Sequence, residues 1–458
     1  VPQPCDDRLR PESKSGSAET PALWVVCILC VSAVDLLAAR RSDDRYWFCA
    51  GMEGVAMVLG VGGSTFEAEL ARMAPMTDGV LPISTQELQG RVAKAQGLMR
   101  EQGIDALYLD TSTNLAYFTG ISLKLTERLH GAVIPVEGEL AYLSPAFEEP
   151  KTREYLRFGS DIRVWEEHED PTALVIETVR SMGFESGAIG IDPLTPFFTV
   201  DGLRKAGNRF SFANASTVTA ACRMVKSPAE IALMQAAMNI TLEVHKAAAR
   251  CMREGLTTPE VQAFLDAAHK KLGGQPASRA VQFGEATAYP HGVPYPQTLA
   301  AGDMVLVDTG CFIEGYRSDI TRTYVFGDPT PRQREIWELE QRAQLGGFAA
   351  AKLGAPCEAV DAGARGVIAA AGYSADYATP GLPHRTGHGI GMDVHEESFM
   401  VRGNKTPIAA GMCFSIEPMM CLYGEFGVRL EDIVYMTTEG AHWFTQPCRS
   451  VDDPFGVG

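Results

Sequence analysis

A chain of 458 residues with 46% apolar content is long enough to bury more than one core, and two domains is the expectation from length. A formal charge of −17 excludes the clustered basic surface that nucleic acid or an anionic membrane requires. Neither partner is expected, and the composition reads as cytoplasmic.

The chain opens with a segment unlike the rest. The run PALWVVCILCVSAVDLLAA, residues 21–39, has nearly the length of a membrane span, but Asp35 interrupts it and the acids Asp6, Asp7, Glu12 and Glu19 precede it. Residues 1–56 are therefore read as an N-terminal extension of doubtful relevance to function. Eleven cysteines without a paired spacing read as reduced thiols, and the lone CxxC at Cys27 and Cys30 lies inside the apolar run. GVGGST at 60–65 reads as a flexible loop, because no strand precedes it as a nucleotide-binding turn needs.

Residues 57–222 alternate helix and strand signals: a helix near 86–102 stopped by Gly103, the strand ALYLD, then the pair GAVIPV and ELAYLS. This predicts a smaller α/β domain with a parallel or mixed sheet. A boundary follows at 222/223, because Ser227, Pro228 and Glu230 carry a capping-box start for a long helix. From 223 to 458 the text runs helix pair, strands, helix pair, strands, an α+β pattern that suggests a duplicated half.

Two stretches in this second part carry chemistry. In MVLVDTGCFIEGYRSDITRTYVFG, a two-residue turn at Glu314-Gly315 sets Asp319 opposite Gly310, and so diagonal to Asp308 on one sheet face. In SIEPMMCLYGEFGVRLED, a loop centred near Gly424 sets Glu417 opposite Glu431 on paired strands. Four acids among apolar neighbours repel one another unless cations neutralise them, and one ion carries too little charge for four carboxylates. Two divalent ions are the expectation, completed by one histidine from HRTGHGIGMDVHEE, which holds His384, His388 and His395. Four carboxylates and an imidazole favour Mn²⁺, with Co²⁺ or Zn²⁺ possible.

The series YPHGVPY, VDTG, GYRSDITRT, HRTGHGIGMDVHE, SIEP and GVRLED resembles the motifs of the pita-bread metallopeptidases, the family of prolidase, aminopeptidase P, methionine aminopeptidase and creatinase. TSTNLAYFTG, more weakly, resembles the N-terminal domain of the creatinase/prolidase branch. The resemblance implies a creatinase-like α/β domain before a pita-bread domain, and a homodimer. It makes Asp308 a ligand of one ion, Asp319 and Glu431 bridging ligands, and His388 and Glu417 ligands of the other. It also makes Glu417 the general base for a water that the ions acidify, and His395 the group that stabilises the oxyanion. His291 and His384 line the place of the residue after the cleaved bond, while Arg429 orients a carboxylate. Many relatives carry a tyrosine about a dozen residues before the first site histidine; here PASRAVQFGEATAYPHG shows none until Tyr289, so either that hydroxyl plays no part next to the metals or it is supplied from elsewhere.

The implied activity is hydrolysis of Xaa-Pro bonds in a dipeptide or short peptide, as a dipeptidase before an aminopeptidase. A dimethylsulfoniopropionate lyase of the same fold is the second reading. Those enzymes add an aspartate two residues after the first metal aspartate, where this chain has Gly310. Creatinase-type hydrolysis and a non-catalytic binding protein rank lower, because all five ligand positions are intact.

Overall fold

The computed structural model describes residues 58–457 except Ala375, so the extension at 1–56, with its apolar run and CxxC, lies outside the described residues. Among the described residues no helix is long and apolar enough to cross a membrane. Their seven cysteines are all buried free thiols, as the irregular spacing predicts.

The first half contains α1 (Phe66–Arg72), α2 (Thr85–Gln102), β1 (Ala106–Asp110), α3 (Thr113–Thr119), β2 (Gly131–Pro135), β3 (Ala141–Pro145) and α4 (Glu149–Tyr155). It continues through β4 (Ile162–Trp165), α5 (Pro171–Ser181), β5 (Gly187–Ile191), α6 (Phe197–Ala206), β6 (Phe210–Asn214) and α7 (Ser216–Arg223). The strands form one mixed sheet in the order β4-β3-β2-β1-β5-β6. ALYLD is apolar up to its last residue because β1 is central and covered on both faces; every residue in it is buried. Ser84 caps α2 and Gly103, at φ 67°, ends it in the left-handed region.

The second half starts with α8 (Pro228–Arg250), where Ser227 and Glu230 form the expected capping box, and α9 (Thr258–Leu272), capped the same way by Thr257 and Glu260. Then come β7 (Gln275–Phe283), β8 (Met304–Ile313), β9 (Tyr316–Arg317) and β10 (Ile320–Val325), with sheet order β10-β8-β7 and β9 against β8. The helix pair recurs as α10 (Pro331–Ala350) and α11 (Glu358–Ala370). The last strands are β11 (Gly387–Gly389), β12 (Glu396–Met400), β13 (Cys413–Ile416), β14 (Met419–Leu422), β15 (Phe426–Arg429), β16 (Asp432–Thr437) and β17 (Gly440–Trp443). They make a five-stranded sheet, β12-β11-β13-β16-β17, and a separate ribbon, β14-β15.

The turn expected at Glu314-Gly315 is present, with φ 49° and 84°, the positive pair that a two-residue hairpin of primed type needs. Its register runs from Ile313↔Tyr316 to Met304↔Val325, so Thr321 stands opposite Asp308 and Asp319 falls one step diagonal to it. The strand expected to carry Asp319 is broken there: β9 stops at Arg317 and β10 begins at Ile320. Ser318 bridges the break, its hydroxyl accepting from the Cys311 amide at 2.9 Å.

The second hairpin differs from expectation. Its register holds on both sides, as Ile416↔Asp432 and Met419↔Arg429, yet Glu417 and Glu431 do not pair. Pro418 has no amide to give the ladder, and the strands part at that point. The Glu417 amide donates to the Thr386 carbonyl at 2.8 Å, and the Glu431 amide to the Thr321 carbonyl at 3.1 Å. The second contact stitches β10 to β16, and buried Arg322 reinforces it through Asp432 at 2.6 Å and the Glu431 carbonyl at 2.8 Å.

Candidate metal centre

The breaks bring the acids together. Asp319, His388 and Glu431 each offer one donor atom within 4.8 Å of the others, and all three are buried. His388 Nε2 lies 2.9 Å from Glu417 Oε1 and 3.9 Å from Asp319 Oδ2. Its Nδ1 donates to the Gly389 carbonyl at 3.0 Å, which fixes the ring with Nε2 toward the acids. Asp308 stands on the other flank, held by the Arg429 guanidinium at 2.6 Å.

Two residues not singled out from the sequence complete the arrangement. Thr321 Oγ1 donates to Glu431 Oε2 at 2.5 Å and accepts from Arg429 Nε at 3.2 Å. Ser415 Oγ donates to Glu417 Oε1 at 3.0 Å while accepting from the His388 amide at 2.9 Å. The hairpin register that located Asp319 also places Thr321 across from Asp308, so Thr321 was within reach of the same arithmetic. Ser415 carried no such signal.

Electrostatics divide the acids. Burial, then the Asp308 charge, holds the Asp319 carboxyl well above the usual carboxylate range; burial, then Asp319, does the same to Glu431. Burial also acts on Glu417, but the imidazole of His388 outweighs it and keeps that carboxyl down at about 2. His388 itself is raised, since Glu417 overcomes the burial that opposes its charge. Glu431 Oε1 is buried and has no hydrogen-bond partner among the described residues. A buried orphan oxygen, an imidazole nitrogen and flanking carboxylates form a donor set that fits divalent cations, with oxygen donors in excess and no thiolate among them.

The remaining predicted residues surround this cluster. The ring of His395 meets that of His388 edge-on, with centroids 4.3 Å apart. Partial burial, then the charges of His388 and Arg385, hold its imidazole down at about 4. His384 is likewise lowered by burial, and its Nδ1 faces the Arg385 carbonyl at 2.7 Å. His291 lies on an exposed loop whose Pro290 carbonyl accepts from Arg429 at 3.0 Å, so Arg429 ties that loop to Asp308. Tyr289 packs against Tyr423 nearby, with centroids 5.0 Å apart.

Comparison with known proteins accords with this geometry. Residues 232–438 match metallopeptidase family M24, and residues 91–225 match the creatinase/prolidase N-terminal domain. The chain is 34% identical over 363 residues to a putative dipeptidase of Bacillus subtilis (strain 168), covering 78% of this chain and 97% of that one. It is 33% identical over 360 residues to an Xaa-Pro dipeptidase of Lactobacillus helveticus, covering 77% and 95%. Among solved structures, the dipeptidase PepE of Mycobacterium ulcerans superposes with a TM-score of 0.75 at 33% identity, covering 80% of this chain and 97% of that one. The prolidase of Thermococcus sibiricus gives 0.72 at 30% identity, covering 78% and 96%. The chain therefore belongs to metallopeptidase family M24, with the pita-bread fold preceded by a creatinase-type N-terminal domain, and the family implies divalent metal ions at its buried aspartate, histidine and glutamate cluster.

Proposed function

We propose that the protein is a dinuclear-metal exopeptidase that hydrolyses Xaa-Pro bonds, and that it acts as an Xaa-Pro dipeptidase. The observation that carries the hydrolase reading is the convergence of Asp319, His388 and Glu431, flanked by Asp308 and Glu417. Two divalent ions, with Mn²⁺ the expected pair, would supply a Lewis acid there and acidify a water when bound. Asp308, Asp319, His388, Glu417 and Glu431 are the residues that would hold them.

The chain's own groups do the rest. Glu417, ionised at neutral pH, accepts the proton of the attacking water at a carboxylate oxygen and returns it to the leaving nitrogen. His395 is neutral at that pH and donates an N–H to the oxygen of the scissile carbonyl as charge develops on it. His384 and His291 contact the residue after the cleaved bond, where a proline offers a rigid ring and a tertiary amide without N–H. Arg429 and Thr321 keep Asp308 and Glu431 aimed inward.

Preference for dipeptides rests on Arg385. Its guanidinium lies 4.4 Å from the centre of the Phe399 ring and acts on His395, and it forms no ion pair among the described residues. A free carboxylate just past the cleaved bond distinguishes a dipeptide from a longer peptide, and a guanidinium there binds it. The test is hydrolysis of Leu-Pro and Gly-Pro against Gly-Pro-Ala, with Mn²⁺ and with chelator, beside Glu417→Ala. Cleavage of the dipeptides, lost on chelation and in the variant, is the expected result. Preference for the tripeptide makes it an aminopeptidase of the same class, and silence on all three with metal bound overturns the peptidase reading in favour of a lyase.

A further inference from the structure

His384, His388 and Glu417 come from separate turns of chain, and their convergence requires the loop at 382–386 to be held in one place. Helix α11 supplies a holder. Asp361 and Arg365, one helical turn apart on α11, are 1% and 3% exposed, and Arg365 Nε donates to Asp361 Oδ2 at 2.9 Å. Arg365 Nη1 donates to the Leu382 carbonyl at 2.9 Å and Nη2 to the His384 carbonyl. Asp361 Oδ1 accepts from the Thr386 amide at 3.2 Å and from its hydroxyl at 2.8 Å. The Thr386 carbonyl accepts in turn from the Glu417 amide. On the outer side the Tyr377 ring covers the guanidinium at 3.9 Å.

We propose that Asp361 and Arg365 are positioning residues for the reaction: the pair grips both ends of the 382–386 loop and thereby aims His384 at the substrate and Glu417 at the attacking water. Its chemistry suits the task. A guanidinium presents donors in a rigid fork that meets the Asp361 carboxylate and the Leu382 and His384 carbonyls at set angles, which a lysine ammonium on a flexible stem does not reproduce. The rate effects rest on the Xaa-Pro hydrolase reading; the geometric claim does not.

A buried ion pair that serves stability alone makes a different prediction. The experiment uses the full chain, metal-loaded, as Arg365→Lys and, should that variant fold poorly, Asp361→Asn, with rates expressed per folded protein. Both variants are expected to lose 10- to 100-fold in kcat/KM on Leu-Pro. In a double-mutant cycle with His384→Gln the two losses are expected not to multiply, because the pair acts through that loop. Rates per folded protein within twofold of wild type, or losses that multiply fully, overturn the proposal. A second readout needs no substrate: the His384 imidazole resonances of chelated protein should move in both variants, and unmoved resonances also overturn it. If wild type cleaves no Xaa-Pro peptide, the functional reading fails while the resonances still judge the pair.

Discussion

Glu431→Gln in metal-free protein exposes the conflict that the ions relieve. The folded carboxyl is held well above its unfolded value by burial and then by Asp319, so between the two values the folded state binds a proton that the unfolded state has lost. Stability therefore falls as pH rises through that window, with a slope of up to about 1.4 kcal/mol per pH unit for one group. Glutamine does not titrate, and its carbonyl can keep the Thr321 hydroxyl bond. The chelated variant should match wild type near pH 4.5 and then gain on it by up to about 1.4 kcal/mol per unit. His245, His269 and His395, lowered to about 3, 4 and 4, tilt the curve the other way below their ordinary range, but they are common to both proteins and cancel in the difference. Adding Mn²⁺ should reverse the order, since an ion at one hundred times its Kd stabilises wild type by about 2.7 kcal/mol and the variant lacks one of the carboxylates proposed to hold it. The assay is urea unfolding by tryptophan fluorescence at pH 5, 6, 7 and 8, chelated and then loaded. Parallel curves for the two chelated proteins would refute the claim that Glu431 is a buried acid forced neutral.

Other perturbations separate the roles. Glu417→Gln should lower kcat by about 100-fold or more with KM little changed, measured on Leu-Pro under saturating Mn²⁺; a KM-only effect would assign Glu417 to binding. Thr321→Val keeps the volume but leaves Glu431 Oε2 and Arg429 Nε short of a partner, and should cost about 1–3 kcal/mol in urea unfolding. Arg385→Gln should raise KM for Leu-Pro about tenfold or more, the worth of a charge-assisted hydrogen bond, and leave Leu-Pro amide unaffected. An equal loss on both substrates would remove Arg385 from carboxylate recognition.

The parts legible in the sequence are those set by local rules. The capping box at Ser227 marks a helix start whatever the fold around it, and a turn at Glu314-Gly315 dictates the register of its hairpin. The break at Glu417-Pro418 is hidden in the spacing, which a loop at Gly424 accounts for without one, although the proline is compatible with it. Asp361 and Arg365 gave no signal at all. A charged pair four residues apart on a helix ordinarily faces solvent, and only the packing of α11 against the 382–386 loop turns it inward.

Strand geometry explains why the breaks belong to the site. A regular ladder sends successive side chains to opposite faces and keeps neighbours on one face about 5 Å apart or more, too even a spacing for several donors to share one ion. Asp319, Glu417 and Glu431 each sit where a strand is interrupted, and the amides of Glu417 and Glu431 bond outside their own hairpin. Freed from the pleat, those carboxylates can turn toward one point, while Asp308 stays in β8 and is steered instead by Arg429. The register on either side of each break holds the point in place. Restoring a continuous ladder, for instance by Pro418→Val, should then tighten β13 and β14 into one strand and weaken metal binding without unfolding the protein. Calorimetric titration with Mn²⁺ would show it, and unchanged affinity would mean that the breaks are incidental to the site.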